Sequence, residues 1–227
     1  MSQSIIKSSK PLLIVGNKNY SSWSLRPWLL LKHFGIPFKE VLIPLYEGDY
    51  KRRILELSPA GKVPALVQGK LVIGESLAIM EYLAELFPQK NLWPANREHR
   101  ARARAVSHEM HAGFSQLRTN MPMNIRGRHP GKGLTPQVES DIARIDEIWS
   151  GCRKEFQSQG KFLFGSFMIA DAMYAPVVTR FNTYGVKISK ISQDYAQSIA
   201  DLPAMKEWSA AGIKESHVIA ASEIYSK

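Results

Sequence analysis

Up to about residue 86 the apolar positions change period from one short segment to the next. Leu12-Leu13-Ile14-Val15 is an unbroken apolar run between Pro11 and Gly16, which predicts a strand buried on both faces. From Leu25 to Phe34 the apolar residues Leu25, Trp28, Leu29 and Leu31 recur at helical spacing, and Gly35 ends the stretch. Phe38–Pro44 predicts a second strand, and Tyr50–Leu57 a short helix that stops at Ser58-Pro59. Ala65-Leu66-Val67 and Leu71-Val72-Ile73 flank Gln68-Gly69-Lys70, the spacing of a hairpin with a glycine at its turn. Leu77, Ile79, Met80, Tyr82, Leu83 and Leu86 then give Glu75–Phe87 an apolar helical stripe. The order β-α-β-α-β-β-α predicts a mixed four-stranded sheet with helices on its faces. Its first two strands are parallel across a crossover helix, and its last two form an antiparallel pair.

The pattern changes after Phe87. Pro88-Gln89-Lys90-Asn91-Leu92-Trp93-Pro94 has two prolines and no period, and reads as a linker. Beyond it helical spacing dominates, over Arg97–Leu117, Pro136–Gln157, Ala170–Tyr184 and Pro203–Ile213, with a loose loop expected at Arg126–Gly133. The division predicted is an α/β domain over 1–86, a linker over 87–96 and an all-α domain over 97–227.

Composition narrows the functional classes. Of the 227 residues 44% are hydrophobic and 22% charged, an ordinary globular balance, and no segment approaches the ~20 apolar residues of a membrane span. Met1–Lys10 is polar and lacks the apolar centre of a secretory signal, so a cytoplasmic location is expected. Cys152 is the single cysteine, which rules out an intrachain disulfide. Its setting on a helical face reads as a buried structural thiol rather than a nucleophile. The net charge of +10 is dispersed, and its densest run, Arg97–Arg104, reads as a solvated helix face. A nucleic-acid partner therefore ranks last. His108-Glu109-Met110-His111 lacks the i, i+4 histidines of a helical zinc site, and no metal is expected.

Three segments carry chemistry, and each falls at the end of a predicted element, where open α/β sheets place ligands. In Asn19-Tyr20-Ser21-Ser22-Trp23-Ser24 one serine serves as a helix cap, and the others stand beside a helix N-terminus that favours an anion. In Gly61-Lys62-Val63-Pro64-Ala65 a proline opens a strand. A cis Val63-Pro64 bond would turn the Val63 backbone outward, where a peptide could add as an extra strand. A trans bond at a strand start is the commoner alternative. Gly74-Glu75-Ser76 opens a helix with a carboxylate for an ammonium, and with a hydroxyl and amide for a carboxylate. Together the three suit an extended peptide ending in an amino-acid head.

Ser58-Pro59-Ala60-Gly61-Lys62-Val63-Pro64-Ala65-Leu66, followed by Gly74-Glu75-Ser76-Leu77-Ala78-Ile79-Met80-Glu81-Tyr82-Leu83, resembles the glutathione transferase superfamily. Ser21-Ser22-Trp23-Ser24-Leu25-Arg26 is similar to the Ser-Ser-Cys-Ser-Trp-Arg of its serine-type zeta class. The resemblance implies a thioredoxin-like N-terminal domain, glutathione as co-substrate and a homodimer. Ser22, with Ser21 as second candidate, would activate the thiol. Val63 would pair with the cysteinyl unit across Pro64, Glu75 and Ser76 would hold the γ-glutamyl head, and Lys62 would add a further contact. The partner substrate would be a hydrophobic or electrophilic small molecule. Either conjugation or a zeta-like isomerisation fits, with a non-catalytic regulatory protein as the alternative.

Two departures stand out. Trp23 replaces the zeta cysteine, which changes the wall around the thiol. Met168 stands where the family has a Ser or Thr three residues before the Asp of an Ala-Asp pair, here Ala170-Asp171. For the acceptor pocket Trp23, Met121, Arg126 and Tyr174 are the chosen residues, drawn from a wider set of His108, Met110, His111, Phe114, Met123, Asn124 and Arg180.

Overall fold

A computed structural model describes residues 10–225, so all of Met1–Lys10 except Lys10 lies outside it. Strands β1 (Leu12–Val15), β2 (Lys39–Leu42), β3 (Ala65–Gln68) and β4 (Leu71–Gly74) form one sheet in the order β2-β1-β3-β4. β1 is parallel to β2 and antiparallel to β3, and β3 pairs antiparallel with β4, with Gln68 opposite Leu71. Gly69 takes the turn at φ +60°, a conformation that costs glycine little. Strand alternation divides the core. Leu13, Val15 and Leu66 join the large apolar cluster, while Ile14 and Ala65 meet Ile43 and Ile54 on the other face. That is why the β1 sequence is apolar without interruption.

Helices α1 (Ser22–His33), α2 (Tyr50–Leu57) and α3 (Ser76–Leu86) complete the first half. The second half is helical: α4 (Arg97–Ala112), α5 (Ser115–Asn120), α6 (Pro136–Phe156), α7 (Ile169–Tyr184), α8 (Lys190–Ala200) and α9 (Pro203–Lys214). The predicted Arg97–Leu117 helix is broken, because Phe114 sits at φ +56° and starts a new turn. The expected linker is anchored. Leu92 and Trp93 are buried, and Ile169 N–H donates to the Leu92 carbonyl at 3.1 Å. Nor is the Arg126–Gly133 loop loose, since His129 and Gly131 amides donate to the Thr183 and Tyr184 carbonyls at 2.8 and 2.9 Å. Asn96 and Thr135 cap α4 and α6, as their side chains accept from the first-turn amides. The basic run on α4 faces outward, with Arg102 paired to Glu155 and Arg104 to Glu81. Among the described residues no helix is long and apolar enough to cross a membrane.

The halves share one core, because α7 and α9 both pack against α1. Trp28 of α1 meets Trp208 of α9 edge-on at 5.0 Å, with the Lys18 ammonium 5.0 and 5.4 Å from the two rings. Lys18 also pairs with Glu40 at 2.7 Å, and the Trp28 indole N–H donates to the same carboxylate.

Candidate functional site

The site gathers where β3, the start of α3 and the start of α1 converge. Lys62, Val63, Pro64, Glu75 and Ser76 line one cavity of about 320 Å³ with Trp23, Ala60, Gly74 and His111. The Val63-Pro64 bond is cis. Glu75 has φ +62°, an unusual conformation for a residue with a side chain, of the kind held at functional sites at a cost of roughly 1–3 kcal/mol. Its carboxylate is largely exposed and stands 3.8 Å from His111 Nε2. Burial, and then the Arg26 charge, hold the His111 pKa below its ordinary value. The imidazole is therefore neutral at pH ~7, and Glu75 keeps its charge for another cation. Ser76 opens α3, its Oγ is buried without a partner among the described residues, and the helix N-terminus adds amides with no partner within the helix.

Ser21 and Ser22 stand beside this cavity rather than in its lining. Their hydroxyls differ. Ser21 Oγ donates to Ser24 Oγ at 2.8 Å, and Ser24 Oγ in turn accepts from the Gly16 amide. Ser22, at the first turn of α1, accepts from Arg180 Nη2 at 3.3 Å, which leaves its own proton to be donated elsewhere. The loop before them is held from the helical half. Asn19 Nδ2 donates to Asn124 Oδ1, Asn19 Oδ1 accepts from the Arg126 amide, and Glu215 accepts from the Lys18 and Asn19 amides at 2.6 and 2.9 Å.

The remaining acceptor-pocket residues scatter. Trp23 and His111 reach the cavity, their rings 5.2 Å apart edge to face. Tyr174 is core, its hydroxyl donating to the Val106 carbonyl at 3.1 Å, and burial pushes its pKa upward. Met121 is buried and borders a different cavity of about 690 Å³ between α6 and the end of α7. Arg126 is engaged by Tyr20 and by the Glu215 and His217 carbonyls. Met110 and Met123 are core, Phe114 makes the helix break, and His108 bonds the Arg104 carbonyl on an exposed face.

Pattern reading named Arg180 in the wider acceptor set but missed Arg26 and Arg118, the cations against the Trp23 ring. Arg26 Cζ lies 4.0 Å from the Trp23 ring centroid and Arg118 Cζ 5.6 Å from it. Arg26 and Arg180 are buried, and desolvation lowers both pKa values, helped at Arg26 by the Arg180 and Arg118 charges and at Arg180, which falls to about 10, by Arg118. At about 10, Arg180 stays charged at neutral pH. An arginine within the apolar run of α1 is the signal that could have found Arg26.

A glutathione S-transferase N-terminal domain model matches residues 20–86 and a glutathione S-transferase C-terminal domain model residues 135–211. A probable maleylacetoacetate isomerase of Caenorhabditis elegans is 28% identical over 206 residues, covering 88% of this chain and 92% of its own. A zeta-class glutathione S-transferase of Euphorbia esula is 25% identical over 185 residues, covering 79% and 82%. A Burkholderia glutathione transferase homologue, solved with bound glutathione, shares the fold at TM-score 0.66 and 22% identity, over 90% of this chain and 98% of its own. The two domain matches together take in more than half of the sequence, in the same order as the sheet and the helical half that make the cavity, and the chain belongs to the glutathione S-transferase family.

Proposed function

We propose that this chain binds glutathione in the cavity at Val63-Pro64 and Glu75-Ser76 and uses its thiolate to transform an electrophilic small molecule. One observation carries the reading: Lys62, Val63, Pro64, Glu75 and Ser76, chosen from sequence for separate parts of one tripeptide, line a single cavity. The Glu75 carboxylate takes the γ-glutamyl ammonium. The Ser76 hydroxyl and the α3 N-terminus take its carboxylate, satisfying an oxygen that otherwise lacks a partner. The Val63 backbone pairs with the cysteinyl unit as an added strand. Lys62, exposed at the rim, faces a terminal carboxylate of the tripeptide.

The chemical task is deprotonation. A free thiol titrates near ~8.5, so only a few per cent is thiolate at neutral pH. Ser22 donates to the sulfur while Arg180 donates to Ser22, so the guanidinium fixes which way the hydroxyl proton points. The α1 N-terminus adds a positive dipole at the same place. Residues 1–86 then act as the glutathione-binding domain, 87–96 as the linker and 97–227 as the helical domain over the acceptor. The family reading brings with it a homodimer, a cytoplasmic setting and a role in detoxification. Isomerisation, the activity in the Caenorhabditis relative's name, uses the same thiolate, and Trp23 decides which acceptors reach it.

The test is a steady-state assay with glutathione and an activated aryl halide. The parent turns over, and Ser22→Ala is slowed about tenfold or more at neutral pH, the loss of one hydrogen bond to a charged sulfur. Full activity in Ser22→Ala would move the role to Ser21 or another group.

A further inference from the structure

The cavity that Met121 borders shares no lining residue with the one at Val63 and Glu75. It measures about 690 Å³, within the range of small-molecule sites, and lies between α6 and the end of α7. Arg180 separates it from the proposed thiol site, bridging the two by donating to the Met121 carbonyl at 2.9 Å and to Ser22 Oγ at 3.3 Å.

The walls of this cavity are pinned. The Tyr184 hydroxyl donates to the Pro122 carbonyl at 3.0 Å, and the Gly131 amide donates to the Tyr184 carbonyl at 2.9 Å. The Ser189 amide and hydroxyl donate to Asp146 at 3.1 and 2.7 Å, which ties the start of α8 to α6. Braced in this way, the walls hold the space open. Its floor is apolar, made by Met121, Ile142, Tyr184 and Val186. Leu134 stands among the lining residues 50% exposed, apolar surface that an occupant would remove from water.

The charges along this floor are uneven. Glu139, Ile142, Ala143 and Asp146 follow the i, i+3, i+4, i+7 spacing of one face of α6, so an acid stands at each end of an apolar pair. Asp146 is engaged by Ser189, whereas Glu139 has no hydrogen bond or ion pair among the described residues. Cations on α6 and α8 have acids of their own: Arg144 pairs with Glu109 and Glu147, and Lys190 with Asp194. Lys187, exposed on the segment after α7, sets one ammonium in the lining against two carboxylates. On a chain of net charge +10, that is a local excess of negative charge, with one carboxylate free to take a partner.

We propose that this cavity is a second small-molecule site, for an amphipathic organic cation whose apolar body lies on Met121, Ile142 and Tyr184 and whose ammonium meets Glu139. The site goes beyond the glutathione reading and does not depend on it.

The probe is naphthylmethylamine, with naphthylmethanol as its uncharged control and naphthoate as its anionic one. Saturation-transfer NMR on the naphthyl protons and calorimetry follow binding to the full chain, with and without saturating glutathione. The amine binds about threefold or more tightly than the alcohol, the strength of an exposed ion pair, and naphthoate binds more weakly than either. Glutathione leaves the amine bound. Glu139→Gln abolishes the preference for the amine and leaves the affinity for the alcohol as it was. Ala143→Trp, which sets an indole in the lining, removes binding of all three. Both substitutions fall at exposed positions of α6, and circular dichroism verifies that the fold survives. Equal binding of the amine and naphthoate, a preference that persists in Glu139→Gln, or binding unaffected by Ala143→Trp overturns the site. Failure of the amine to bind overturns it too, as does displacement by glutathione, which would place the amine in the other cavity. Amine binding in a chain that gives no heat with glutathione would sink the transferase reading and leave this site standing.

Discussion

Ser21 and Ser22 are adjacent, yet the fold gives their hydroxyls different work. Ser21 donates to Ser24 inside the loop, whereas Ser22 receives a hydrogen bond from Arg180 and keeps its proton. The rate of Ser22→Ala should therefore reach its midpoint at higher pH, by about one unit or ~1.4 kcal/mol, while Ser21→Ala mainly lowers stability. A pH–rate profile that moves for Ser21→Ala and not for Ser22→Ala would reverse the assignment. Cys152 illustrates the opposite situation. It is 2% exposed, and burial pushes its thiol up to about 11, so it stays protonated across the physiological range. A maleimide should label it only after the chain is unfolded, and rapid labelling of the folded protein would contradict that account. The residues that line the cavity were legible because proline before a strand and Glu-Ser before a helix are local patterns. Arg26 and Arg118 were not, and Arg180 stood only in a wider candidate set, since arginines on α1, α5 and α7 meet only through tertiary packing.

At the scale of elements, periodicity located the strands within a residue or two and most helices, and it failed where packing decides. Helix α8 shows Ile191, Tyr195 and Ile199 as a stripe one residue wide in a polar segment, too narrow to register as a helical face. The break before α5 follows from Phe114 adopting a left-handed conformation to bury its ring, which no local rule demands. The start of α7 retains the family departure. Met168 is the N-cap and has no side-chain cap, while its own amide donates to Asp171 Oδ2 at 2.8 Å. Ser166 is exposed and does not supply the missing hydroxyl. Met168→Ser would let the hydroxyl accept from the Asp171 amide and complete a reciprocal cap, worth about 0.5–2 kcal/mol. Calorimetry should show a Tm higher by roughly 2–4 °C per kcal/mol, and an equal or lower Tm would refute the capping argument.

Across the whole molecule the loop before Ser21 depends on the far end of the chain. The Glu215 carboxylate binds the Lys18 and Asn19 amides, and the Glu215 carbonyl accepts from Arg126. Glu223 accepts from Tyr20 and Asn124, and His217 reaches the Leu45 carbonyl at 3.0 Å. The segment after α9 is thus a strap over the residues that precede Ser21. None of this was readable from a polar tail with three weak apolar positions, because its value lies in partners some two hundred residues earlier. Glu215→Ala leaves two amides unpaired and should cost about 1–3 kcal/mol, with a matching fall in Tm. An unchanged Tm would mean that the strap holds the loop by packing alone. The two-part architecture, by contrast, was plain from the switch of period at the Pro88–Pro94 segment. The central claim, that the cavity at Val63-Pro64 and Glu75-Ser76 is a glutathione site, is tested most directly by isothermal titration of the full chain with glutathione. The account predicts one tripeptide per chain at millimolar concentration or below, weakened about tenfold or more in Glu75→Ala. No heat at millimolar glutathione, or equal binding by Glu75→Ala, would contradict it.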